Sequence, residues 1–304
     1  MNTLDDAAFA ELVDPAARAV LPVLPDLDPA IGVAALRERG RVVLDDLGPF
    51  PMPAGVVREV GESCRVFRPE VVRAPDRAVL WIHGGGMVGG EPRQDDLLCA
   101  DIAVTHQVDV HSCRYRLAPE DPYPAGLDDC VAALRKLLGG YETVLVAGAS
   151  AGGGLAIGTA MRARDEGLTG VRGVIAYYPM IDDRPGRASM ERIGTLKTWN
   201  HATDRWAWSM YLAGLDDVPV YAAPARASLE ELRGLPPVAL DVGRLDGFFD
   251  EVCAFAVALA RADVAVDLTV TPGAFHASEW LAPDGASSQR IHAARRVAFA
   301  RLLA

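Results

Sequence analysis

The serine within Gly148-Ala149-Ser150-Ala151-Gly152 is the residue of this chain best placed to do chemistry. A β-branched stretch over 143–147 leads into it, and a small-residue stretch that reads as a helix follows. Glycines on both sides permit a sharp strand-to-helix turn with Ser150 exposed at its apex. A bare G-x-S-x-G arises by accident about one time in twelve in a chain this rich in glycine, so the context carries the reading. A second run, His83-Gly84-Gly85-Gly86, ends another apolar stretch. Glycines without Cβ let main-chain N–H groups approach a ligand oxygen. The N–H groups of Gly84 and Gly85, with that of Ala151, would form an oxyanion hole beside the serine. A nucleophile with such donors is equipped for acyl transfer through a tetrahedral intermediate. His83 falls on the oxyanion side and is assigned to shaping the loop.

A serine hydroxyl is a weak nucleophile unless an imidazole takes its proton, and the imidazole needs a carboxylate to fix its tautomer. With a nucleophile on such a turn, the order along the chain is serine, acid, histidine. Downstream of Ser150, His201 falls in an inserted segment and His292 in the terminal helix, whereas His276 follows the last strand in a loop. His276 is the candidate base. Residues 243–251 offer Asp246, Asp250 and Glu251 as the acid. Asp246 is mid-loop and preferred; Asp250 and Glu251 read as first-turn helix residues, where acids favour the dipole, and Asp250 stays as the alternative.

Elements must hold these loops together. Strands are expected at 78–82, 108–113, 143–147, 171–177, 238–242 and 264–270, alternating with helical patterns. That alternation predicts an α/β fold with a mostly parallel central sheet and helices on both faces. About sixty residues separate the fourth of these strands from the fifth, far beyond a normal crossover, so residues 183–214 are expected to form an inserted helical cap. Trp199, Trp206, Trp208 and Tyr211 lie in it and are expected to pack it onto the body; lining a pocket is their other reading. Residues 1–50 read as short helices broken by Pro15, Pro22, Pro25 and Pro29 that need a surface to lie on. The expected division is an N-terminal cap segment over 1–50 and a catalytic domain over 51–304 carrying the insertion. The last helix is expected to begin near 284–287.

Composition fits a folded protein: 304 residues, 50% apolar, 23% charged, 7% aromatic. Thirty Lys+Arg against 41 Asp+Glu leave a net charge of −11, which repels phosphate backbones and anionic lipid, so no nucleic-acid or membrane partner is expected. Cys64, Cys99, Cys113, Cys130 and Cys253 are odd in number and form no C-x-x-C, which fits neither a disulfide framework nor a zinc site. The uncharged stretch 143–161 contains five glycines and reads as strand, turn and buried helix, not as a membrane span. The acidic N-terminus leads into no apolar segment, so a cytoplasmic protein is expected.

The His83–Gly86 loop, Tyr115-Arg116-Leu117-Ala118-Pro119-Glu120 with Pro124 downstream, the Ser150 turn, and the Asp246 and His276 loops together resemble the hormone-sensitive lipase family of α/β-hydrolases, in its bacterial branch. The resemblance runs from about residue 77 to the C-terminus. It implies a serine carboxylesterase acting on short- to medium-chain acyl esters through an acyl-enzyme, with Asp246 and His276 completing a triad with Ser150. It also implies a small-molecule acyl ester as partner, no cofactor and no metal, and allows a homodimer. Ala149 and Gly154 stand where the family usually has Asp and Asn, and Ala277-Ser278 where Gly-Phe is common. Three other readings compete. Gly84, Gly86 and Gly89 spell G-x-G-x-x-G, but Gly90-Glu91-Pro92 opens no helix and the next strand ends without the acidic residue that a dinucleotide site needs. A hydrolase-fold binding protein would have lost part of the triad. An amidase or deacetylase would use the same groups, because an oxyanion hole sees only the carbonyl.

Overall fold

Val79-Leu80-Trp81-Ile82 and Val144-Leu145-Val146-Ala147 are apolar on both faces, the pattern of strands covered from both sides, and all eight residues are buried at the centre of the sheet. The computed structural model describes residues 4–24, 27–46, 48, 51–194 and 196–304; Pro25 lies outside them. Its strands are β1 (Val56–Val60), β2 (Cys64–Pro69), β3 (Arg77–Ile82), β4 (Asp109–Cys113), β5 (Thr143–Ala149), β6 (Val171–Tyr177), β7 (Val238–Gly243) and β8 (Val266–Thr271), in the order β1-β2-β4-β3-β5-β6-β7-β8. All six expected strands are present. From β4 to β8 the neighbours are parallel; β1 and β2 are antiparallel additions that the sequence reading passed over. Their signal was weak because arginines interrupt them. Arg58 and Arg65 run inward to the buried carboxylate of Asp96, and Arg68 to Asp109.

The register sets the turns side by side. Ile82 pairs with Gly148, Ala149 with Tyr177, and Gly243 with Thr271, so the loops carrying His83, Ser150, Asp246 and His276 leave one edge of the sheet, at the carboxyl ends of its parallel strands. The helix Ala151–Asp165 behind Ser150 is buried along nearly its whole length, as its alanines and glycines foretold. The last helix spans Ala286–Leu303. Among the described residues, no helix is long and apolar enough to cross a membrane.

Helices Asp6–Leu12 and Pro15–Arg18 from the N-terminus, and Ala188–Ile193 and His201–Leu212 from the long excursion between β6 and β7, lie outside the sheet layers. They do not float on the body. Phe9, Val13 and Ala17 form a small core with Ile193 and Leu196 from the excursion and with Leu245, Phe275 and Ala282 from the loops after β7 and β8. Asp14 ties the same join: its N–H donates to the Gly273 carbonyl at 3.0 Å, and its carboxylate accepts the Ser287 N–H at the start of the last helix at 2.9 Å.

Arg295, in the middle of the last helix, is 6% exposed and lies among acids. It donates to Asp241 of β7 at 2.7 and 3.1 Å and to Glu279 at 2.8 Å, and its guanidinium stacks 3.5 Å over the Tyr177 ring. Burial works to raise both carboxyls: Asp241 stays above its ordinary value, while Arg295 and the Tyr178 hydroxyl hold Glu279 below its own. Removing the cation leaves two buried carboxylates facing each other. Arg295→Met is therefore expected to lower the unfolding free energy by about 3–5 kcal/mol, read from urea denaturation. A loss under about 1 kcal/mol would mean that the pair behaves as a solvated surface ion pair.

Candidate active site

Ser150 takes φ 56°, ψ −121°, a conformation that an L-residue adopts only when its surroundings force it. The forcing contacts are main-chain ones. Ser150 N–H donates to Tyr177 O at 2.8 Å, and Ser150 O accepts from Gly154 N at 3.1 Å and Met180 N at 3.0 Å. A Cβ on Gly148 would stand 2.4 Å from the Gly152 carbonyl oxygen, and one on Gly152 2.1 Å from that of Ile82, so neither position has room for a side chain. Gly154 is close-packed in the same way: a Cβ there would meet the Met180 carbonyl at 2.1 Å.

The structure brings three of the expected side chains together. His276 Nε2 lies 3.0 Å from Ser150 Oγ, and His276 Nδ1 lies 2.9 Å from Asp246 Oδ2. The other Asp246 oxygen accepts the Phe248 N–H at 2.9 Å, so the carboxylate, 2% exposed, is fixed at both ends. Asp250 and Glu251 are elsewhere. Asp250 accepts the Ser189 N–H at 2.7 Å, and Glu251 accepts that of Ile181 at 2.9 Å while facing Arg187. His201 opens the helix His201–Leu212 and His292 lies within Ala286–Leu303; neither reaches the serine. Nδ1 bound to a carboxylate and Nε2 facing a hydroxyl is the arrangement that lets an imidazole draw a proton from the serine.

Gly84 is pressed onto this turn: a Cβ on it would lie 3.0 Å from Ala149 O and 3.3 Å from Ser150 Cβ. Among the described residues, the N–H groups of Gly84, Gly85 and Ala151 donate to no protein acceptor, and Ala151 opens the helix behind Ser150. The loop is braced from behind by His83. Its Nδ1 faces Gly84 O at 2.8 Å, its ring stacks on Tyr115 at 4.3 Å, and the Tyr115 hydroxyl donates to His83 O at 2.9 Å. Burial pushes the His83 imidazole down to about 4, so it stays neutral in this place. After Gly89 the chain makes a tight turn and the short 3-10 helix Pro92–Asp95, not the helix that a dinucleotide loop opens.

Tyr178, Phe248 and Arg37, near the site, were beyond the sequence reading. Tyr178 and Phe248 set ring edges against His276 at 4.7 and 5.1 Å. Tyr178 also donates to Glu279 at 2.8 Å, which joins the imidazole surroundings to the Arg295 network. Arg37, from the helix Gly32–Asp46, donates to Val88 O and Ala118 O, each at 2.7 Å, and pairs with Glu120 at 2.8 Å. It thereby clasps the His83–Gly86 loop to the Tyr115–Glu120 run, and nothing in its helical setting marked it. The aromatic group expected to pack the insertion divides. Trp208 and Tyr211 are buried in the main core as expected, whereas half-buried Trp199 turns toward the site, with its ring 6.4 Å from that of His276.

A family model described as the alpha/beta hydrolase fold matches residues 79–279, two-thirds of the chain. The chain belongs to this α/β-hydrolase family. Its relatives are of the hormone-sensitive-lipase-like kind. Carboxylesterase NlhH of Mycobacterium tuberculosis is 33% identical over 286 residues, which cover 87% of this hydrolase and 88% of NlhH. The solved structure of a bacterial heroin esterase superposes with a TM-score of 0.89 at 32% identity, over 97% of this hydrolase and 99% of that chain. Esterase LipW from Mycobacterium marinum gives 0.87 at 30%, over 99% and 98%.

The buried neutral imidazole of His83 has a consequence for this hydrolase's stability. Its folded-state value lies below the ordinary 6.5, so the unfolded chain binds the extra proton, and stability present above pH 6.5 is lost as pH falls toward 4. Asp204, which burial pushes up to about 7, acts in the opposite sense, so the effect is read as a difference between variants. Between pH 7 and pH 5 the wild type is expected to lose about 2 kcal/mol more than His83→Asn in urea titrations. Equal losses would show that the imidazole takes up its proton without cost.

Proposed function

We propose that this protein is a serine carboxylesterase that hydrolyses small acyl esters through an acyl-enzyme. The observation that carries the reading is the continuous line from Asp246 through His276 to Ser150, at 2.9 and 3.0 Å. Relatives named carboxylesterase, esterase and, in Pseudomonas putida, ethyl acetate hydrolase support the same class of reaction.

In this reading Ser150 Oγ attacks the ester carbonyl while His276 Nε2 takes its proton. The carbonyl oxygen, now negative, accepts hydrogen bonds from the N–H groups of Gly84, Gly85 and Ala151. Collapse of the tetrahedral intermediate expels the alcohol, which receives the proton from His276, and leaves the acyl group on Ser150. Water, deprotonated by the same imidazole, then repeats the sequence and frees the acid. Asp246 keeps the tautomer and steadies the imidazolium without taking the proton itself. The N-terminal segment 1–50 and residues 183–214 together act as a cap over this site, because their shared small core is built on residues that flank Asp246 and His276. Five cysteines free of disulfides fit work in a reducing cytoplasm.

Ser150→Ala, His276→Ala and Asp246→Asn are each expected to lower kcat on p-nitrophenyl esters by about a thousandfold or more, without additive losses in combination. Near-normal turnover in any one of them removes that residue from the machinery. A folded wild type inert on all esters would move the reading to an amide or a narrow natural-product substrate.

A further inference from the structure

The indole of Trp199 lies between the glycine loop and the imidazole. Its outer edge fills the space that Gly86 leaves by having no side chain: a Cβ on Gly86 would lie 2.2 Å from Trp199 Cη2. The same ring stands 6.4 Å, centre to centre, from His276. It is held there. Its Nε1–H donates to Asp204 Oδ1 at 3.2 Å, Asp204 is 8% exposed, and the adjoining Asn200 caps the next helix by accepting the Ala202 and Thr203 N–H groups.

A carbonyl that reacts with Ser150 sits between the glycine loop and the imidazole, and so beside this ring. Its leaving oxygen must face His276 Nε2, which protonates it. The acyl substituent is then directed away from the imidazole, along the glycine loop, where the indole edge occupies the space beside Gly86. Ser150 is itself only 6% exposed, so an acyl group on its Oγ begins enclosed by protein. We propose that Trp199 closes the acyl side of the cleft and confines this enzyme to short acyl groups, acetyl to butyryl, with little influence on the alcohol. The inference rests on the serine-esterase reading and names the substrate class of that same site.

The test measures kcat/KM for p-nitrophenyl acetate, butyrate, hexanoate and octanoate, and for acetates of several alcohols, in the wild type, Trp199→Phe and Trp199→Ala. The wild type is expected to fall steeply beyond butyrate. Trp199→Ala is expected to raise the octanoate-to-acetate ratio at least about tenfold, with Trp199→Phe between, while ratios among the acetates stay within about twofold. An unchanged acyl profile in a variant that still turns over acetate overturns the inference alone. So does a wild-type optimum at octanoate, or a shift confined to the alcohol series. Should Trp199→Ala fail to fold, as judged by circular dichroism, Trp199→Phe decides by the same ratio. A wild type inert on every ester, or turnover that survives in Ser150→Ala, overturns the esterase reading together with this inference.

Discussion

A serine at positive φ costs about 1–3 kcal/mol of backbone strain, and much of this molecule serves to hold Ser150 there. The carbonyl of Tyr177 and the N–H groups of Met180 and Gly154 grip its main chain, and the carbonyls of Ile82 and His83 crowd Gly152 from the neighbouring strand. Those carbonyls are in place because β3, β5 and β6 are parallel and in register. The strain is therefore borne by the sheet as a whole. In return, the hydroxyl stands clear of its own helix, and the N–H of Ala151 is left without a helical acceptor next to it.

Asp246 and His276 lie in the loops after β7 and β8, on the far side of β6, and a different interaction sets their separation. Arg295 joins Asp241 on β7 to Glu279, three residues beyond His276, and Tyr178 closes the circuit by donating to Glu279 while its ring edge meets the imidazole. Buried charges of this kind add little net stability but tolerate few alternative arrangements, since any slip leaves a charge without a partner. The loop of His276 and the strand that leads to Asp246 are thus held to one spacing. Leu245 and Phe275, next in sequence to Asp246 and His276, sink into the small core with Phe9, Val13 and Ala17. Those N-terminal helices and the loops of Asp246 and His276 share one set of apolar contacts.

Much of this was legible in the chain itself. Six of the eight strands, the last helix, the Ser150 turn and the glycine loop were marked by local composition, since β-branched runs and glycine clusters act within a few residues. The two antiparallel strands were not, because Arg58, Arg65 and Arg68 break their alternation, and the carboxylates of Asp96 and Asp109 that they meet are distant along the chain. Asp246 and Asp250 could be ranked by position but not separated. Only the geometry, with Asp250 turned to Ser189, separated them.

The sequence by itself determined the chemical kit: a serine on a glycine turn, a glycine-rich loop able to present N–H groups, and a histidine and an aspartate in loops after late strands. Local backbone preference suffices for that, because glycine and β-branched residues decide φ and ψ where they stand. Tertiary structure alone decided which carboxylate meets the imidazole, that Arg37 and Arg295 brace the loops, and that Trp199 rather than Trp208 or Tyr211 faces the site. The physical reason is range. Hydrogen bonds, ion pairs and ring contacts between residues tens to hundreds of positions apart exist only once the sheet has brought their strands side by side.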